Sequence, residues 1–143
     1  MASHARVHRA LVLAPQAFRP RETLRALTGI HVPPGEGERL PRGQRHHRVL
    51  VELPEVEAVE LHFGPEIVVE PHTHPDHADS FYVLEGEAEF TIDGNVVRGA
   101  AGTWVSAPIG TVHGFRNAGN GELRLLNVHT PNVAFIQRLR GDD

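Results

Sequence analysis

Apolar and polar positions alternate in short runs along most of this 143-residue chain, with a turn signal closing each run. Val56-Glu-Ala-Val-Glu-Leu-His-Phe63 ends at Gly64-Pro65, and Arg48 to Leu53 ends at Pro54. Phe81 to Leu84 stops before Gly86, and Ala88 to Ile92 meets Asp93-Gly94-Asn95, a hairpin signal because these residues tolerate positive φ. Val96-Val97, Thr103 to Ala107, Val112 to Arg116 and Leu123 to His129 continue the series. No helical period runs between Val49 and His129, so the pattern predicts an all-β barrel or sandwich. After Pro131, Val133 to Leu139 has the spacing of a short closing helix, with Val133, Ile136 and Leu139 toward the barrel.

The first 48 residues read differently. Arg6 to Leu13 is a candidate strand, and Arg21 to Thr28 forms two candidate helical turns after Pro20, ended by Gly29. His31 to Gly43 is dense in proline and glycine and reads as an extended loop. The expected organisation is therefore an N-terminal arm over 1–48, a barrel over 49–131, and a helix with tail over 132–143.

Composition narrows the chemistry. The formal net charge of -4 argues against a basic nucleic-acid surface. The chain has no cysteine, so any metal must sit on nitrogen and oxygen. It has no lysine either: all 14 basic residues are arginine, which excludes a Schiff base. No run approaches the roughly 18 apolar residues of a membrane span, and no secretory core is visible; a cytoplasmic protein is expected.

Eleven histidines make any close pair weak evidence. The stretch Glu70-Pro-His-Thr-His-Pro-Asp-His-Ala-Asp79 nevertheless concentrates His72, His74, His77, Asp76 and Asp79 ahead of an apolar strand. In a strand, His72 and His74 would share one face. Further on, Gly102, Pro108, Gly110, His113 and Asn117 recur at fixed offsets, with Pro108-Ile-Gly110 set to reverse the chain and return His113 inward.

These two segments resemble the paired motifs of the cupin superfamily. Gly64, His72, His74, Asp79 and Gly86 correspond to the first motif, and Gly102, Pro108, Gly110, His113 and Asn117 to the second. The resemblance implies a single cupin barrel (a double-stranded β-helix, or jelly roll) holding one divalent transition metal, Fe, Mn, Ni or Zn. The implied ligands are His72, His74, His113 and Asp79. Aspartate stands where the family pattern has glutamate, one methylene longer. Asp79 then binds directly after a backbone shift, acts through water or from outside the ligand set, or yields its place to His77.

The resemblance also implies action on a small organic molecule, as a dioxygenase, isomerase or lyase. A barrel that binds or senses a metabolite without chemistry is the alternative. His62 is a candidate base or substrate contact, and His129 is another cavity candidate. His77 is expected to be a solvated loop residue, and Asn117 to close a turn. Two strands that are apolar on both faces, Phe81 to Leu84 and Leu123 to Val128, suggest a homodimer.

Overall fold

The computed structural model describes residues 29–141. The strand expected over Arg6 to Leu13 and the helical turns over Arg21 to Thr28 lie outside the described residues.

Among the described residues, ten antiparallel strands form two sheets. In chain order they are β1 (Arg39–Arg42), β2 (Arg45–Leu53), β3 (Val56–Phe63), β4 (Val68–His72), β5 (Ala78–Glu85), β6 (Glu87–Ile92), β7 (Asn95–Ala100), β8 (Trp104–Ala107), β9 (His113–Asn117) and β10 (Leu123–Thr130). One sheet runs β1-β2-β3-β10-β5-β8 and the other β4-β9-β6-β7. A short helix, α1 (Phe135–Leu139), follows the last strand. The all-β fold expected from the alternation is present, in the jelly-roll form that the cupin resemblance implies.

Alternation explains which residues fill the space between the sheets. Val59, Leu61 and Phe63 of β3, Phe81 and Val83 of β5, and Leu123 and Leu125 of β10 are buried together. Phe90 of β6 and Phe115 of β9 meet them from the opposite sheet. The rings of Phe81, Phe90 and Phe115 lie 5.1–5.8 Å apart in tilted pairs, a separation at which aromatic pairs gain beyond simple burial. Ile136 of α1 is fully buried against the same core, and Val133 just before the helix is buried too. Tyr82 and Trp104, on the outward positions of β5 and β8, pack on each other and stay exposed.

Part of the segment read as an arm over 1–48 is strand. Arg39 to Arg42 forms β1, paired in register with Arg45 to Arg48 at the start of β2. Glycine in the connecting turn allows this: Gly43 has φ +63°, so a segment that reads as loop closes a hairpin instead. Arg140 at the end of α1 contacts both Glu38 and Glu52 (2.6 and 2.8 Å), tying the helix to this edge of the sheet.

Phe90 is 1% exposed, so Phe90→Ala should destabilise by about 3–5 kcal/mol. Val96→Ala, at a position 62% exposed, should change stability by about 0.5 kcal/mol or less. Urea unfolding followed by circular dichroism measures both, and equal effects would contradict the placement of the core.

Candidate metal centre

Both sheets contribute to the site. His72 ends β4 and His113 begins β9, and the two are register partners in the four-stranded sheet. Asp79 lies on β5, in the six-stranded sheet. The four ligand atoms of His72, His74, Asp79 and His113 lie within 4.8 Å of one another. His74 sits beyond the end of β4, so the convergence of the two imidazoles (centroids 4.7 Å apart) comes from the loop and not from strand alternation. That loop is anchored by the second motif: Gly110, with φ +82°, donates its N–H to the His74 carbonyl at 2.8 Å. Gly114 lets β4 and β9 approach, since a Cβ there would meet the Val69 carbonyl at 2.6 Å.

The hydrogen bonds orient the rings. Nδ1–H of His72 donates to the Glu70 carbonyl and Nδ1–H of His113 to the Thr111 carbonyl, each at 2.8 Å. This fixes which nitrogen carries the proton and leaves Nε2 to face inward. His113 Nε2 lies 3.0 Å and His74 Nε2 3.5 Å from Asp79 Oδ2. Donors bound at about 2.1 Å around one ion stand roughly 3 Å apart, close to these two distances.

Asp79 is also held from behind. Asn127 Nδ2 donates to its Oδ1 at 2.6 Å, and His129 Nε2 lies 3.4 Å from the same oxygen. His129 Nδ1 in turn faces Glu57 Oε2 at 3.6 Å. Glu57, His129 and Asp79 form one cross-strand row: His129 of β10 pairs in register with Glu57 of β3 and with Asp79 of β5. All three are buried. The far end of the row fixes α1, because the Glu57 carboxylate accepts N–H bonds from Val133, Phe135 and Ile136.

A cavity of about 140 Å³ opens over the cluster. Its apolar wall includes Leu61, Phe63, Phe81, Phe115 and Phe135, and its polar lining includes His72, His74, His77, His129, Arg45 and Arg138.

A family model for the cupin domain matches residues 59–129, from β3 to β10. The protein is a cupin. Quercetin 2,3-dioxygenase of Bacillus subtilis (strain 168) is 32% identical over 87 residues, which cover 57% of this chain and 26% of that enzyme. This cupin therefore spans about a quarter of the curated relative. A Klebsiella pneumoniae protein with a double-stranded β-helix domain is 31% identical, with TM-score 0.56, covering 71% of this chain and 85% of that one. KdgF from Halomonas sp. shares the fold, with TM-score 0.68 at 24% identity, covering 73% of this chain and 96% of that one.

Two histidines of this cupin depart from expectation. His62 does not line the cavity. On β3 the inward positions belong to Leu61 and Phe63, so His62 projects outward between Glu60 (2.9 Å) and Glu122 (2.8 Å). His77 is not a solvated loop residue: it is 4% exposed and lines the cavity beside His74, with ring centroids 4.1 Å apart. Asn117 closes its turn as expected, donating to the Gly64 and Gly121 carbonyls and accepting from the Gly119 N–H. His129 is a cavity residue. Glu57 and Asn127 were not singled out in the sequence. The signal was available, because each is a polar residue in phase with the buried apolar positions of its strand, Val59, Leu61 and Phe63 on β3 and Leu123 and Leu125 on β10.

The electrostatics follow from the row. Burial disfavours charge on Asp79, but hydrogen bonds from His113, His129 and Asn127 prevail and hold its carboxyl well below the ordinary range. Burial likewise opposes charge on His129, yet its contacts with Asp79 and Glu57 raise it to about 9. His113 is raised against its burial by Asp79 and the Thr111 carbonyl. Burial and the neighbouring His77 depress His74 to about 4. Burial also lowers His77, despite Asp76.

A raised folded-state value stabilises fully below the unfolded value near 6.5 and is lost as pH climbs through the folded one. Chelator-treated protein should therefore lose up to about 3 kcal/mol between pH 6.5 and 9.5, mostly through His129. His129→Gln should be less stable at pH 7 and nearly flat across that window. Urea unfolding at fixed pH values measures this, and a flat wild-type profile would contradict the buried row.

Proposed function

We propose that this cupin is a metal-dependent enzyme acting on a small, oxygen-rich organic acid, of the dioxygenase, isomerase or lyase type. The observation that carries the reading is the four-donor cluster of His72, His74, His113 and Asp79, of which His72, His74 and Asp79 line a cavity with a largely aromatic apolar wall. Three imidazoles and one carboxylate suit a divalent Fe, Mn, Ni or Zn ion.

The donor set fits such an ion for a reason internal to the chain. Both nitrogens of His113 face acceptor oxygens, Thr111 O and Asp79 Oδ2. The ring is therefore either an imidazolium or a metal ligand. His74, depressed to about 4, is neutral at pH 7 and needs no deprotonation to ligate. When bound, the ion supplies Lewis-acid polarisation of substrate oxygens and, for a redox metal, access to dioxygen chemistry.

The chain's own residues supply binding and exclusion. Phe63, Phe81, Phe115 and Phe135 keep water from the cavity wall. Arg45 and Arg138 place positive charge on the same wall, where a substrate carboxylate or enolate is favoured. Arg45 is steadied over the Phe63 ring, 5.5 Å from its centroid, and by the Val68 carbonyl. Asn127 and His129 hold the Asp79 carboxylate in one orientation, a role that usually sets metal affinity and reactivity. The similarity to quercetin 2,3-dioxygenase over 87 residues supports the dioxygenase type.

Elemental analysis of protein purified without added metal should find a divalent transition metal. His113→Ala should weaken its binding by more than about 100-fold and abolish turnover in a screen of hydroxy acids, keto acids and flavonols. Substituting Arg45 by alanine should weaken binding of the acids by about tenfold, equivalent to about 1.4 kcal/mol, and spare neutral analogues. Undiminished turnover in the demetallated protein would overturn this function.

A further inference from the structure

A second set of donors converges behind the first. His77, Asp79 and His129 each offer one ligand atom, all within 4.8 Å of one another, and all three residues are buried. They come from three separate places: the loop after β4, strand β5 and strand β10.

His77 carries the strongest indication. Its Nδ1–H donates to Asp76 Oδ1 at 2.8 Å. A carboxylate only accepts, so the proton stays on Nδ1 and Nε2 presents a lone pair. That Nε2 is buried and has no hydrogen-bond partner among the described residues. Leaving such an atom unpaired is costly, and its residue is 4% exposed. His129 has the same design: its Nδ1 faces the Glu57 carboxylate and its Nε2 faces Asp79 Oδ1. An imidazole braced by a carboxylate on one nitrogen, with the other turned to a shared point, is the usual arrangement of a metal-ligating histidine.

Asp79 divides its two oxygens between the two sets. Oδ2 faces His113 at 3.0 Å and His74 at 3.5 Å, and Oδ1 faces His129 at 3.4 Å. Asn127 already donates to Oδ1, but a carboxylate oxygen has two lone pairs and accommodates both.

We propose that His77, His129 and Asp79 form a second divalent-cation site, with the Asp79 carboxylate bridging it to the cation held by His72, His74 and His113. Two imidazole nitrogens and one carboxylate oxygen select Zn(II) or Co(II) over Mg(II) or Ca(II), and water completes the coordination. On binding, the ion replaces the Nε2 proton of His129, which leaves to solvent. The proposal relies on the mononuclear reading only for the first cation, not for its chemistry.

The test is a Co(II) titration of chelator-stripped protein at pH 8, with bound metal counted by mass spectrometry after desalting. Wild type should saturate at two equivalents per chain. His77→Ala and the more conservative His77→Gln should each saturate at one, with unchanged circular dichroism, and His72→Ala should also retain one. Loaded with Mn(II), the wild type should give a spin-coupled electron paramagnetic resonance spectrum that His77→Ala lacks. Saturation at one equivalent in wild type, or two in both His77 variants, would overturn the second site. If wild type binds one and His72→Ala none, the first site stands and the second falls; if wild type binds none, both fall.

Discussion

Two carboxylates, Glu57 and Asp79, are buried in this barrel with one imidazole, His129, between them. Removing even one charge from water costs several kcal/mol unless it is paired and hydrogen-bonded, and the shared ring supplies the opposite charge that both carboxylates face. The sheet supplies the pairing for structural reasons, because the three residues sit opposite one another on adjacent strands. One end of the row accepts three backbone N–H groups around the start of α1, and the other presents Asp79 to the histidine cluster. The closing helix and the candidate metal centre thus depend on the same line of charges.

The two cupin motifs meet through backbone as well as through ligands. His72 and His113 face each other across β4 and β9. The Gly110 N–H holds the His74 carbonyl, so the turn that returns His113 to the barrel also places the loop histidine. The four-stranded sheet brings His72 and His113, the loop brings His74, and the six-stranded sheet brings Asp79. Closing the two sheets over the Phe81, Phe90 and Phe115 cluster is what assembles the site.

Much of this was legible in the sequence. Period-two alternation and turn residues located most strands, and the offsets of His72, His74 and His113 located the cluster. Reach was harder to read. The sequence leaves open how an aspartate one methylene shorter than the family's glutamate meets the cluster; β5 and its register with β10 carry the Asp79 carboxylate to within 3.0 Å of His113. His62 was misplaced because the inward phase of β3 is set by Leu61 and Phe63, and alternation alone does not say which set faces in. His77 reads as a solvated loop residue because a loop flanked by proline and aspartate usually faces water, and only the fold shows it turned onto His74 and His129. The hairpin of β1 and β2 hid in a Pro/Gly-rich segment for a similar reason, since Gly43 at positive φ permits a tight reversal within an apparent loop.

The proposed function makes Asp79 a direct metal ligand, positioned by the row behind it. Anomalous diffraction from crystals of the metal-loaded protein locates the ion. It should lie about 2.0–2.3 Å from one oxygen of Asp79 and from a nitrogen of each of His72, His74 and His113. An ion bound by the three histidines, with both Asp79 oxygens more than about 3 Å away, would contradict it.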